Sequence, residues 1–158
     1  MYMKQEELDV RLVSLRESKE KTKLYRWEFM RYEGGIVDVG LSTEFRINRR
    51  HHTVTLILGA HYTTLRSQIV RRLLDYVVEA EFEVSDLGVV MDDEGGEVFL
   101  TTDMLGMMLS VGVGAMRGMI ALRTSNTFLM HYPLPVYNVG TLIDNILAAG
   151  EITMAGRD

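Results

Sequence analysis

Between Met104 and Leu122 the chain reads MLGMMLSVGVGAMRGMIAL, a run too apolar to lie on the surface of a monomer. Wound at about 100° per residue, its polar positions Asp103, Ser110 and Arg117 fall into one thin line at seven-residue spacing, with Gly106 and Gly114 beside it. Met104, Met107, Met108, Val111, Ala115, Met119 and Leu122 form one apolar stripe. Leu105, Leu109, Val113, Met116 and Ile120 form a second, roughly opposite one. A helix that is apolar almost all round belongs in a large core or a membrane, and a chain of 158 residues is too short to enclose it on every side. A partner subunit is the expected second wall, with Met104, Met108, Val113, Met116 and Ile120 as the oligomer interface.

A membrane could also supply that wall, since Gly114 and Gly118 make a GxxxG pattern of the kind that pairs transmembrane helices. Two features weigh against it. Arg117 lies well inside the run, where a charge costs about 2.5–3.5 kcal/mol on insertion scales, and Asp103 and Arg123 bound the tract in place of a basic flank. Its four glycines each cost about 1 kcal/mol of helix propensity against alanine, which points to close approach of another layer of protein. No integral membrane segment is expected.

The rest of the chain supplies a sheet for this helix. Val10 and Leu12 alternate with Arg11 and Val13 in a first strand over Leu8 to Leu15, which ends at the charged run ESKEK. Val37, Val39, Leu41, Phe45 and Ile47 alternate with polar residues in a second strand, and Val54, Leu56, Leu58 and Ala60 do so in a third. In the fourth, Leu73 to Leu87, one face carries Leu74, Tyr76, Val78, Ala80, Phe82 and Val84. Asp75, Glu79, Glu81 and Glu83 stand on the other, with Leu73 and Val77 among them. Period-2 alternation of this kind marks an antiparallel sheet with one apolar and one solvated face. A turn at Asp92 to Gly96 leads to the helix, with Thr101 or Thr102 as its N-cap. An apolar loop, TSNTFLMHYPLPVYN, follows, then a short helix capped by Asn138, with Leu142, Ile143, Ile146 and Leu147 as its stripe and Gly150 as its stop. The final EITMAGRD reads as a frayed tail from about residue 151. The fold class is α+β: a four-stranded antiparallel sheet with one long and one short C-terminal helix on one face, as a single domain over 1–158.

Composition narrows the function classes. A net charge of −5 without a basic stripe argues against nucleic acid as a partner. The absence of cysteine removes thiol nucleophiles, thiolate metal sites and disulfides. The first residues, MYMKQEELDV, lack the apolar core of a signal peptide, so the cytoplasm is the expected compartment. His51, His52, His61 and His131 fit no metal or nucleophile motif. Asp92-Asp93-Glu94-Gly95-Gly96 lacks the spacing of a calcium loop. No cofactor, metal or catalytic residue is expected. Large apolar side chains instead gather outside the regular elements: Tyr25, Trp27 and Phe29 between the first two strands, and Phe128, Met130, Tyr132 and Leu134 in the interhelix loop. They read either as edge and core packing or as the walls of a binding site.

The strand pair HTVTLILGAHYT and LLDYVVEAEFEVSDL, the helix ending in Met116-Arg117-Gly118-Met119, and the segment FLMHYPLPVYNVGTLIDNI together resemble the SecB family of bacterial export chaperones and its divergent relatives. The likeness runs from about Val10 to Leu147 as an order of elements. Arg117-Gly118 is similar to the Arg-Gly that opens the family's interhelix segment, and Pro135-Val136 with Asn138 to the start of its second helix. The resemblance implies a cytoplasmic chaperone, a dimer of dimers with the long helices sandwiched between sheets. Unfolded or nascent polypeptides would be its partners, held in apolar grooves by Tyr25, Trp27, Phe29, Phe128, Met130, Tyr132 and Leu134. It also implies docking of the SecA motor on the exposed sheet face through Leu73 and Asp75, with Glu79 beside them. The competing expectation is a non-enzymatic adaptor for one defined partner, such as an antitoxin-like client.

Overall fold

The computed structural model describes residues 10–22, 36–66, 69–85, 91–94, 97–149 and 152–155. Four long strands, β1 (Val10–Thr22), β2 (Ile36–Asn48), β3 (Thr53–Arg66) and β4 (Ile69–Val84), form an antiparallel sheet in the order β1-β4-β3-β2. A hairpin of β5 (Met91–Glu94) and β6 (Glu97–Leu100) leads to α1 (Thr102–Arg123). A 3-10 turn (Phe128–His131) and α2 (Val139–Ala149) complete the helical layer. Thr101 caps α1, its hydroxyl accepting from the Met104 amide, and the Asn138 side chain accepts from the Thr141 amide at the start of α2.

The alternation in β4 sets the register of the whole sheet. Leu74, Tyr76, Val78, Ala80, Phe82 and Val84 are buried on the helix side, where they meet Val54, Leu56, Leu58, Ala60 and Tyr62 of β3, while Glu79, Glu81 and Glu83 stand half-buried on the far side. A slip of one residue would exchange the two sets and put the glutamates in the core. α1 lies on this apolar face and buries Met104, Leu105, Met108, Leu109, Gly112, Val113, Met116 and Ile120. Gly112 marks the closest approach. A Cβ there would lie 2.7 Å from Leu56 Cδ2 and 2.9 Å from Leu58 Cδ1, so helix and sheet meet at this depth only because position 112 has no side chain.

Boundaries differ from the sequence expectation in three places, one being β4, which begins at Ile69 and not at Leu73. β1 continues through the charged run to Thr22, paired with β4 as far as Leu74; Arg11 pairs with Glu83 and Arg16 with Glu79 across the strands on the far face, and Glu17 with Arg123 of α1. Register shifts between Leu12 and Ser14 and between Glu17 and Lys19 break the period-2 pattern that would have shown the strand's full length. The tail is not frayed throughout. Ile152–Ala155 forms β7, which pairs in parallel with Phe45–Asn48 and extends the sheet order to β1-β4-β3-β2-β7. Four residues are too few for periodicity to reveal.

Tyr62 and Tyr137 carry their hydroxyl groups into the interior, where neither finds a hydrogen-bond partner among the described residues. Burial, with Tyr137 nearby, pushes the Tyr62 hydroxyl up to about 12. An unpartnered buried hydroxyl costs about 1–3 kcal/mol. Tyr62→Phe is therefore expected to stabilise the fold by about 1 kcal/mol, read as a higher urea midpoint at unchanged slope. A lower midpoint would show that the hydroxyl is bonded in solution.

Candidate functional site

Among the described residues, no element covers one face of α1 once it is seated on the sheet. The second of the two stripes, Leu105, Leu109, Val113, Met116 and Ile120, is wholly buried, and Met104 and Met108 of the first are buried with it. The five residues expected at an oligomer interface, Met104, Met108, Val113, Met116 and Ile120, thus belong to the chain's own core. The sequence could not separate the stripes, since both are apolar. What remains open is Met107, Val111, Gly114, Gly118 and Leu122, which recur at intervals of three and four and share one face. Val111 is 41% and Leu122 77% exposed, and a Cβ at Gly114 or Gly118 would meet nothing within 4 Å. Ser110 beside them turns its hydroxyl back to the Gly106 carbonyl at 2.8 Å, so its hydrogen bond is satisfied within the helix. At the sheet's β1 edge, Leu12, Val13 and Leu15 add further exposed apolar surface.

The interhelix segment is fixed from both ends. Thr124 closes α1 through its hydroxyl to the Ile120 carbonyl at 2.8 Å, and Arg117 donates to the carbonyls of Leu134 at 3.1 Å and Pro135 at 2.8 Å. Leu129 and Leu134 are buried as its anchors, so Leu134 supports the segment from beneath and does not face a ligand. Phe128 and Tyr132 are half-buried, their ring centroids 5.1 Å apart at a tilt of 49°. Met130 is exposed, and Val136, absent from the sequence-derived set, is 92% exposed. Its place after Pro135 was the one available signal, because a proline on either side of Leu134 keeps the segment out of a helix. Tyr25, Trp27 and Phe29 lie outside the described residues.

The far face of the sheet holds a polar cluster that no local motif announced. His61 of β3 stands opposite Asp75 of β4, and its Nδ1 lies 2.7 Å from Asp75 Oδ1, while Ser42 Oγ of β2 lies 3.1 Å from His61 Nε2. A register shift on β4, where Tyr62 pairs with Leu74 but Thr63 with Arg72, brings Arg72 close enough to donate to Asp75 Oδ2 at 2.8 Å. Burial by itself would raise the Asp75 pKa; the hydrogen bond from His61 and the Arg72 guanidinium outweigh it and hold the carboxyl below its ordinary range. The expectation of a solvent-facing Asp75 is therefore corrected: it is on the far face but buried, as is Leu73. Of the three residues expected to meet a partner there, only Glu79 retains partial exposure, and it is paired with Arg16.

A four-stranded antiparallel sheet in the order β1-β4-β3-β2, followed by one long and one short helix on a single face, is the SecB-like fold. Among solved structures the chain is similar to the Mycobacterium tuberculosis Rv1957 SecB-like chaperone, in complex with a ChAD peptide from the Rv1956 HigA1 antitoxin. The TM-score is 0.54 at 12% identity, over 82% of this chain and 89% of that one. No family model matches the sequence, and no curated protein does.

Proposed function

We propose that the protein is a cytoplasmic, SecB-like chaperone that holds unfolded or nascent polypeptide against exposed apolar surface and works as a homo-oligomer. The observation that carries this reading is the pair of apolar surfaces that stay open among the described residues: Met107, Val111 and Leu122 on α1, and Met130 and Val136 with the half-buried Phe128 and Tyr132 on the interhelix segment. Large exposed apolar patches mark sites of association. The two have different characters. The α1 face, smooth at Gly114 and Gly118, suits a second helix at close range, and we assign it to self-association, with a dimer of dimers as the assembly. The interhelix segment presents a flexible methionine and aromatic edges, which suit clients of varied sequence. Trp27, with Tyr25 and Phe29, is assigned to client binding as well. Leu73 and Asp75 are buried, so a SecA contact through them is not part of the reading.

The test is suppression of aggregation of several unrelated denatured proteins at stoichiometric ratios. Wild type is expected to protect them all, and Met130→Asp with Val136→Asp to reduce protection several-fold at unchanged circular dichroism and oligomer mass. Because Trp27 is the only tryptophan, its fluorescence is expected to shift when a denatured client is added. Failure to protect any client would overturn the reading. Protection of one client alone would favour the dedicated adaptor, a reading supported by the antitoxin peptide bound to the Rv1957 chaperone.

A further inference from the structure

The far-face cluster has a geometry that polypeptide binding does not use. From Ser42, His61, Asp75 and their spacing we infer that Ser42 is a nucleophilic serine, able to take an acyl or phosphonyl group from small activated esters. Proton placement follows from the partners. The ionised Asp75 carboxylate, 5% exposed as a residue, only accepts hydrogen bonds, so His61 Nδ1 must donate to it. That leaves Nε2 of the neutral imidazole as an acceptor, and Ser42 Oγ, 3.1 Å away, donates to it. The alternative acceptor for Ser42, the Gly59 carbonyl, is at 3.5 Å and is the weaker bond. Arg72 fixes the second carboxylate oxygen. Exposure rises along the chain of bonds: Asp75 is buried, His61 is 36% exposed at its side chain, and Ser42 at the end is an exposed residue. Ser–His–Asp nucleophiles are arranged in this order, with the carboxylate orienting the imidazole and the imidazole removing the serine proton.

Gly59 gives a second, independent indication. It sits directly across from Ser42, and a Cβ at this position would lie 2.4 Å from Ser42 Oγ and 3.0 Å from His61 Nε2. Any side chain at 59 would displace one partner, so the contact exists because glycine occupies a strand interior, where it is otherwise unfavourable.

In the step proposed, Ser42 Oγ bonds to the acyl carbon and its proton passes to His61 Nε2. The bond from that carbon to the ester oxygen breaks, and the alcohol leaves with the proton from Nε2. Water then attacks the acyl-serine, giving one proton to Nε2. That proton returns to Ser42 Oγ as the carboxylic acid departs, so ester and water become acid and alcohol. The hydrogen bonds shown at Ser42, to His61 and the Gly59 carbonyl, include no oxyanion donor, and each donor that a site lacks costs about 10²–10³ in rate. The inferred activity is therefore confined to esters with good leaving groups.

The test is treatment of the full chain with a fluorophosphonate, followed by intact mass and peptide mapping, alongside 4-nitrophenyl acetate in stopped flow. One adduct on Ser42 is expected, with a burst of about one nitrophenolate per chain. Ser42→Ala is expected to show neither, and His61→Gln to slow labelling about 100-fold. No adduct, an adduct that persists in Ser42→Ala, or a labelling rate unchanged in a folded His61→Gln would each overturn the inference. Should His61→Gln fail to fold, the burst in wild type and its loss in Ser42→Ala decide the matter.

Discussion

Val113→Asp is expected to abolish folding. Val113 is 6% exposed and sits on the stripe of α1 that faces the chain's own core, one residue after the close approach at Gly112. A carboxylate there has no partner, and forcing it from water into an apolar site costs several kcal/mol, a large fraction of the roughly 5–15 kcal/mol that stabilises a typical domain. Met116→Asp, one helical turn on and fully buried, is expected to do the same. The measurement is circular dichroism with urea titration of the soluble protein. A cooperative, native-like transition in either variant would mean that α1 is not seated on the sheet by this face.

Val111→Asp, two residues earlier and chemically identical to the first substitution, is expected to leave the fold intact and take the assembly apart. Val111 stands 41% exposed on the open face with Met107, Gly114, Gly118 and Leu122, so its carboxylate remains hydrated in a single chain. Stability should change by no more than about 0.5 kcal/mol for the isolated chain. In an assembly closed through this face, the same carboxylate would be buried without a partner in both copies. Native mass is therefore expected to fall to that of one chain, with the circular dichroism spectrum of wild type. A wild-type protein that is already monomeric at micromolar concentration would remove the self-association proposal. A variant that keeps the wild-type mass would place the contact elsewhere.

The contrast between positions 111 and 113 shows what the sequence did and did not contain. Strands β2, β3 and β4 were legible because one solvated face forces a period of two, and Leu74, Tyr76, Val78, Ala80, Phe82 and Val84 follow it as a buried row, with the buried Leu73 and Asp75 of the far face as the exceptions. The two-sided character of α1 was legible for the same reason. Which side meets the sheet was not, since methionine and leucine satisfy either environment; the deciding residue is Gly112, whose meaning depends on Leu56 and Leu58 across the layer. The far-face cluster was hidden by separation. Ser42, His61 and Asp75 lie on three strands, and only the register joins them. His61 matched no metal or nucleophile motif, and Asp75 read as one more acid on a solvated face. Interhelix anchors and exposed residues alternate too irregularly to be sorted without Arg117 and the carbonyls it holds.

The strand order also governs how the chain reaches its native state. β3 and β4 are joined across residues 67–68 and β2 and β3 across 49–52, so these three pair at short range, whereas β1 must wait for β4 before Val10 can find Val84. Contacts so distant in sequence close a long loop and form slowly. During that interval the nascent sheet exposes the edge of β4 to any other chain. The sequence of the late partner bears on that risk: the charged run from Arg16 to Lys21 makes the second half of β1 a poor template for aggregation, and the pair of Arg16 with Glu79 forms only once the correct neighbour arrives.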